Sequence, residues 1–390
     1  MTMTQTFEPP ANAGAQAEGS ELLAGTAAPQ TPQTKSQSYA SLVWRRFRHS
    51  IGGLVGGFLV TLILLIAVFA NFLSPYDPGE RSRTSIYLPP QGLHFFAADG
   101  FHLVPFTHPI EIELDPATYQ PKPTENTAVR CTPAFMGKGW SYSFLGFSLE
   151  RHLFAAPANC PFHILGTDRE GRDMLSRLLV GSRLTLMMAI MVVLASVIIG
   201  TIIGITSGYL GGRADHYIQR VVEFFLALPE LPFFFALVAI IPRNVDALTV
   251  FVMLAGILVF LHWAQLAREV RGKALSISQY DYVTAAIAVG ARTPRIIFRH
   301  ILPNVMSHVI VITTLMIPKI VLLESFLSFL GLGVQPPLVS WGLLLNSAKD
   351  LQTLGSYPWA LVPVAAILVT VLSFNMLGDG LRDAMDPYHT

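Results

Sequence analysis

The chain has 390 residues, of which 52% are apolar and 13% are charged, and its mean hydropathy is +0.50. Soluble domains carry about 25% charged residues, so this composition indicates a protein whose main solvent is lipid. The formal net charge of +1 excludes the basic excess of nucleic-acid-binding proteins, and the absence of a GxxxxGKS/T loop excludes a P-loop nucleotide site.

The N-terminal part combines a polar tail with one apolar run. Residues 1–40 are rich in Ala, Gln, Thr, Pro and Ser and predict a flexible tail, because they cannot bury enough apolar surface to become ordered. The run 51–73 can cross a ~30 Å hydrocarbon core, so residues 41–76 are assigned to the first transmembrane helix. Three arginines at 45–48 precede it and favour a cytoplasmic start.

Residues 77–163 have a different character, since Pro, His, Asp, Glu and aromatic residues mix there without a long apolar stretch. We expect a water-exposed extracytoplasmic insertion of mixed or β character, because alternating segments such as 110–114 predict short strands. Cys131 and Cys160 lie in this region, and two alternatives stay open: a disulfide, or two free buried thiols. The spacing of its histidines does not indicate a metal site.

A stretch around Asp168, Arg172 and Asp173 contains apolar residues that recur up to position 179. This pattern predicts an amphipathic helix on the outer membrane interface. The carboxylates have no nucleophile or histidine base at matching spacing, so anchoring or packing between subunits is favoured over catalysis.

Five further apolar runs follow within the core of the chain, 164–390. They lie near 184–208, 220–241, 247–267, 305–330 and 358–378. The segment 268–303 carries six Arg and Lys residues and the short loops on the opposite side carry two, which predicts cytoplasmic N- and C-termini. The predicted fold class is an all-α integral membrane protein with six transmembrane helices and one exported insertion.

Three charged residues are expected deep inside the predicted spans. Glu230, between two prolines, is expected near the midplane of the third span, and Lys319 and Glu324 lie in the fifth. A charge at that depth is costly unless it faces the bundle interior or water. Two roles stay open: lining a substrate path, or pairing between helices, with Lys319 as the expected partner of Glu230.

Residues 281–303 predict a bent element between two spans. Tyr282, Ala285, Ala286 and Val289 follow the i, i+3, i+4, i+7 spacing that gives a short helix one apolar face. The two alanines keep this face shallow, so another protein's backbone can approach closely.

Gly290 suits the left-handed conformation that ends such a helix. Thr293 offers an N-cap oxygen for a second helix, and Pro294 fits its first position. Arg292 and Arg295 make this second part basic. On spacing alone, two interpretations stay open: a docking element that transmits force, or an amphipathic loop helix on lipid headgroups.

The motif of Ala285, Ala286 and Gly290, followed by His-Ile-Leu-Pro at 300–303, resembles the EAA loop of ABC-importer permeases. In that family the loop forms the coupling helix, which fits a groove on the nucleotide-binding subunit. Thr284 replaces the usual Glu of the motif. The resemblance implies an ATPase-coupling role for Tyr282, Ala285, Ala286, Val289, Gly290, Arg292 and Arg295.

Four other segments resemble the C-type permeases of dipeptide and oligopeptide importers. They are 165–177, 208–215, 324–342 and 378–387. The resemblance covers about 40–76 and 163–390 and leaves out the insertion. It implies the type I ABC-importer permease fold and a multi-pass location in the bacterial cytoplasmic (inner) membrane.

The resemblance also implies partners: a homologous second permease, two ABC ATPase subunits that bind ATP and Mg, an extracytoplasmic substrate-binding protein and the lipid bilayer. The expected function is import of dipeptides or oligopeptides by alternating access, with no cofactor and no enzymatic activity on this chain. Related permeases carry nickel complexes, glycosides or opines, so other cargo stays open. An ion-coupled secondary transporter and an intramembrane enzyme are disfavoured, because inverted repeats and paired catalytic groups are not evident.

Overall fold

The computed structural model describes residues 39–97, 100–114, 121–144, 146–157, 160–242 and 244–386. The tail predicted at 1–40 therefore lies outside the described residues except for its last two positions. The chain divides into two units, Met1–Leu42 and Val43–Thr390, and the second contains the whole membrane core.

The described helices follow one another along the chain with short connections, apart from one long interruption between the third and the fourth. They are α1 (Tyr39–Phe47), α2 (Ile51–Val68), α3 (Ala70–Leu73), α4 (Met174–Leu210), α5 (Gly212–Ala227), α6 (Glu230–Val238), α7 (Ala247–Ser278), α8 (Asp281–Ala288), α9 (Thr293–Ile296), α10 (Leu302–Phe329), α11 (Trp341–Asn346), α12 (Leu351–Ser356) and α13 (Val362–Met385). A π-helical turn, Ile297–Ile301, joins α9 to α10, and a 3-10 turn, Pro358–Leu361, precedes α13.

Five helical segments of the described chain are long and apolar enough to cross a membrane: α2, α4, α7, Thr293–Phe329 and Pro358–Met385. The span predicted at 220–241 is not one continuous helix, because α5 and α6 form a pair bent by 85°. If this pair crosses the membrane as one broken span, the described chain has six spans, as predicted. Pro229 explains the break, since proline disfavours a helical conformation in the preceding residue and lacks an N–H donor. Leu228 accordingly has an extended backbone.

Helix α7 is longer than the predicted span, which ended at residue 267. It has 32 residues, and at 1.5 Å per residue it is about 48 Å long, well beyond a ~30 Å hydrocarbon core. Its last turns therefore project out of the lipid as a helix, and they carry basic residues that the sequence assigned to a loop.

Helices α4 and α7 approach each other along a stripe of glycines. Gly200, Gly204 and Gly208 stand four residues apart, so they share one face of α4. A Cβ at Gly204 would lie 2.6 Å from the carbonyl oxygen of Ala267, and Cβ atoms at 200 and 208 would be 2.9 and 2.7 Å from carbonyl oxygens of α7. Small residues thus let the two backbones touch, as is common between membrane helices.

The core lies where α2, α10 and α13 pack onto this pair. Its largest buried cluster includes Leu186 and Val192 of α4, Leu258 of α7, Ile320 of α10 and Phe374 of α13. The outward sides of the same helices expose many large apolar residues, as expected of helices that face lipid or a partner subunit.

The insertion contains four two-stranded antiparallel sheets among its described residues. The strands are β1 (His94–Ala97), β2 (Gly100–Phe106), β3 (Ile110–Leu114), β4 (Pro121–Glu125), β5 (Ala134–Phe135), β6 (Lys138–Phe144), β7 (Phe147–Arg151) and β8 (Phe154–Ala155). The pairs are β1–β2, β3–β4, β5–β8 and β6–β7, so the strand predicted at 110–114 is present as β3.

Cys131 and Cys160 are joined by a disulfide, with their Cα atoms 5.6 Å apart. Of the two alternatives left open by the sequence, the structure has the bonded pair. The bridge links two positions 29 residues apart, so it restrains a large part of the insertion.

We expect proteolysis without reductant to release the peptides of Cys131 and Cys160 as one linked species, and mass spectrometry should find them separate after reduction. Recovery of both cysteines as alkylated free thiols from protein kept under oxidising conditions would contradict this bond.

Candidate functional site

The bent element, residues 281–303, begins with α8 directly after the projecting end of α7. Gly290, with φ of +80°, ends α8 in the left-handed conformation. The N–H of Ala291 donates to the carbonyl of Ala286 at 3.0 Å, and the N–H of Gly290 donates to that of Ile287 at 2.9 Å. These two bonds form a Schellman motif, which closes the helix end that the sequence predicted at Gly290.

The second helix of the bent element starts one residue earlier than predicted. Arg292 is its N-cap, and Thr293 is already helical and makes no capping hydrogen bond, so the N-cap assigned to Thr293 is wrong. Pro294 still falls in the first turn, where its missing N–H costs nothing. Arg295 follows on an exposed position of the same helix.

One side of the bent element is anchored in the protein. Val283, Ile296 and Ile301 are completely buried and belong to one cluster with Val270 and Ala274 of α7. The element is therefore packed onto the projecting part of α7 and continues through the π-helical turn into α10, so a push on it acts on two long helices.

The other side of the bent element is an exposed apolar surface. Val289 is 86% exposed, Tyr282 is 43% exposed, Ala285 is also exposed and Ala286 is half-buried. The structure adds Phe298, 69% exposed, which the sequence reasoning missed because it lies on the π-helical turn, outside the spacing of α8. An exposed apolar patch beside basic residues is typical of a protein interface.

Thr284, which replaces the Glu of the family motif, turns its hydroxyl back onto its own helix. Its Oγ1 donates to the carbonyl of Asp281 at 2.9 Å. The side chain is thus satisfied within α8, and the shallow face relies on its alanines and not on a charge at this position.

An ion pair missed by the sequence reasoning ties α5 to the projecting part of α7. Arg271 donates through Nε and Nη2 to the two carboxylate oxygens of Asp215, at 2.6 and 2.5 Å. Ser207 of α4 donates to the same carboxylate at 2.5 Å. Three helices therefore meet at one bidentate contact beside the bent element.

Glu230 is the first residue of α6, just after the bend. Its Oε2 lies 3.6 Å from Nζ of Lys319, so the structure brings these two predicted residues together. Nε2 of His262 lies 3.1 Å from its Oε1, which no spacing in the sequence could reveal. We call Glu230, His262 and Lys319 the charged cluster.

Glu324 does not join the charged cluster. Its residue surface is only 2% exposed, and its Oε1 accepts from Ser328 Oγ at 2.8 Å within α10. The same hydroxyl oxygen accepts from the N–H of Val334. The structure therefore does not bring Glu324 together with Glu230 and Lys319, and its place on a substrate path stays a prediction.

The predicted interfacial helix around Asp168 is wrong, since residues before Met174 form turns and α4 starts there. Asp173 caps α4 by accepting from a backbone N–H of its first turn. Asp168 is 3% exposed and accepts from Arg172 Nε at 2.8 Å and from Arg177 Nη1. Met174 is buried and Leu178 packs against the main buried cluster, so these two apolar residues face the core.

Two known protein families match parts of the chain. Residues 200–388 match the family described as binding-protein-dependent transport system inner membrane component, and residues 38–90 match the N-terminal transmembrane domain of oligopeptide transport permease C. The dipeptide transport system permease protein DppC of Bacillus subtilis is 32% identical over 352 residues, which cover 90% of this chain and 87% of that protein. The chain belongs to this family of binding-protein-dependent permeases.

Two further relatives of the permease have higher identity over shorter alignments. The oligopeptide transport system permease protein OppC of Haemophilus influenzae is 42% identical over 64% of this chain and 78% of its own. The glutathione transport system permease protein GsiD of Pectobacterium atrosepticum is 41% identical over 58% and 72%. The resemblance to C-type permeases is thereby confirmed, and the permease is a multi-pass inner-membrane protein.

The family match from residue 200 includes the bent element and the charged cluster of the permease. Most of the insertion falls between the two matched regions, 38–90 and 200–388. The candidate site therefore lies within the part of the permease that the family model matches.

Proposed function

We propose that this permease is the C-type membrane subunit of an ATP-driven importer of dipeptides or oligopeptides. The single observation that supports the coupling of transport to ATP hydrolysis is the structure of the bent element. This element is anchored by three buried residues and presents an exposed small-residue face. The names of the relatives, oligopeptide and dipeptide transport permeases, support the cargo.

The proposed complex contains this permease, a homologous second permease, two ABC ATPase subunits and an extracytoplasmic substrate-binding protein. The permease is a transport subunit and not itself an enzyme, and ATP and Mg bind on the ATPase chains. In this arrangement the N- and C-termini are cytoplasmic, as is the bent element. The insertion then lies on the outer side, where an oxidising compartment suits its disulfide.

The contacts of the bent element indicate how a displacement caused by closure of the ATPases is transmitted to the membrane helices. The coupling residues Tyr282, Ala285, Ala286, Val289 and Gly290 dock onto the ATPase, with Arg292 and Arg295 beside them. A displacement of this surface acts on α7 and α10 through the buried anchor, and on α5 through the pair of Arg271 and Asp215. The helices then move between inward-open and outward-open arrangements, as alternating access requires.

The test is reconstitution of the complete transporter in vesicles. We expect uptake of labelled dipeptides to pentapeptides to require ATP, both permeases and the loaded binding protein. Uptake driven by an ion gradient without ATP would contradict the ATP-driven role and favour a secondary transporter. ATP-dependent uptake of a nickel complex, a glycoside or an opine, with no uptake of peptide, would support the role as an ATP-driven importer subunit. The same result would contradict peptide as the cargo.

A further inference from the structure

A cavity of about 220 Å³ lies between α7 and α10. Its lining combines polar residues of α7, namely His262, Gln265 and Glu269, with Lys319 of α10. The remaining lining residues are apolar and come from α10: Ile312, Leu315, Met316 and Ile320. Charged groups in an apolar setting between membrane helices are costly, so they point to a function.

Lys319 is held loosely at one end of this cavity. Its side chain is 49% exposed, and its Nζ lies 3.6 Å from Glu230 Oε2, which is longer than a good hydrogen bond. The three N–H donors of the ammonium therefore remain available to a ligand.

The nearer partner of Glu230 is His262, whose side chain is buried. Nε2 of His262 lies 3.1 Å from Oε1 of Glu230, and its Nδ1 lies 2.9 Å from the carbonyl oxygen of Leu258. The carboxylate of Glu230 is thus shared between His262 and the more distant Lys319, so Lys319 is not held by a close ion pair of its own.

Glu269 provides the opposite charge further along the cavity, towards the end of α7 that leads to the bent element. It is seven residues from His262, which is about 10 Å at 1.5 Å per residue. Its Oε1 accepts from Gln265 Nε2 at 3.1 Å, and no Arg, Lys or His lies within ion-pair distance of it in the described part of the chain. This carboxylate therefore forms no close ion pair among the described residues, and its longer-range electrostatic partner is His308.

We propose that this cavity binds a peptide in transit by its two charged ends. Lys319 receives the C-terminal carboxylate, and Glu269 receives the N-terminal ammonium. Lys319 and His262 both lie against Glu230, so the rise of about 10 Å along α7 from His262 to Glu269 also approximates the axial separation of Lys319 and Glu269. This separation matches about three extended residues at 3.3–3.6 Å each. The apolar lining from α10 makes no hydrogen bonds that would select particular side chains, so the ligand class is short peptides with free termini. The proposal rests on the peptide import proposed above, and the cavity forms one wall of a path that the second permease completes.

The test uses the complete transporter with Lys319→Gln and Glu269→Gln, and three peptides: trialanine, its C-terminal amide and its N-acetyl derivative. We expect Lys319→Gln to lower uptake of trialanine about tenfold, as for a lost hydrogen bond between charged groups, and to leave uptake of the amide unchanged. Glu269→Gln should lower uptake of trialanine but not of the N-acetyl peptide. Uptake by each variant is divided by uptake by the wild type for the same peptide. Differences in how well the binding protein binds the three peptides therefore do not affect the comparison.

Matched controls are Arg220→Gln and Glu223→Gln, which remove an exposed ion pair on α5 outside the cavity. They should change uptake by less than about twofold, because exposed pairs contribute little. Lys319→Arg should restore most of the uptake of trialanine. If Lys319→Gln lowers uptake of trialanine and its amide by the same factor, its role is structural and the proposal is wrong. If the wild type imports no peptide, the proposed function itself fails.

Discussion

Replacing Val289 by Asp is expected to abolish ATP-driven uptake while the permease still folds and inserts. Val289 is 86% exposed, so the substitution removes almost no internal packing. An unpaired carboxylate buried against an apolar groove would cost about 3 kcal/mol, which corresponds to roughly hundredfold weaker binding of the ATPase. The measurements are co-purification of the ATPase and peptide-stimulated ATP hydrolysis in vesicles.

Leu103→Asp is the matched control, because Leu103 of β2 is also 86% exposed but lies in the insertion. It should leave the amount of co-purified ATPase unchanged. A bulky change on the same face of α8, Ala286→Trp, should reproduce the loss seen for Val289→Asp. Normal ATPase binding and normal coupled hydrolysis in both α8 variants would show that this face does not dock the ATPase.

Replacing Asp168 by Asn should lower the free energy of unfolding of the permease by about 3–5 kcal/mol, the usual cost of removing one partner of a buried ion pair. Asp168 and Arg177 are each 3% exposed, so the guanidinium would stay buried without its counter-ion. Glu170→Gln is the control in the same group, because Glu170 is partly exposed and should contribute below about 1 kcal/mol. Thermal unfolding of the purified protein in detergent compares the two variants.

The carboxyl of Asp168 also predicts that the stability of the permease depends on pH. Burial raises the pKa of Asp168, but the charges of Arg177 and Arg172 outweigh it and hold the pKa below its usual value. Its contribution to stability is therefore complete above the unfolded pKa of about 3.9 and is lost as the pH falls through the lower folded pKa. The unfolding temperature of the wild type should fall more steeply in acid than that of Asp168→Asn. Parallel acid profiles would contradict this assignment.

Hydropathy predicted the membrane helices of the permease well, because apolar length is a local property. It did not give the shape of the span 220–241, where Pro229 was visible in the sequence but the angle of 85° between α5 and α6 was not. It also failed before α4, where the apolar residues that suggested an interfacial helix belong to the first turns of a long helix that begins with the buried Met174.

The face of α8 was predictable from the spacing of Tyr282 and Val289, since both lie within two turns of one helix. The charged cluster was not, because His262 joins Glu230 from another helix and nothing local marks that contact. The pair of Asp215 and Arg271 spans 56 positions for the same reason. Contacts of this kind depend on the packing of the helices and not on their individual patterns.

The glycine stripe of α4 has a mechanical consequence. Along Gly200, Gly204 and Gly208 there is no room for a Cβ atom between α4 and α7, so the two helices are closely packed over these turns. We expect this close packing to make α4 and α7 move together as one unit. We expect the bend between α5 and α6 to act as a hinge of the permease, because no helical hydrogen bonds cross Pro229 there.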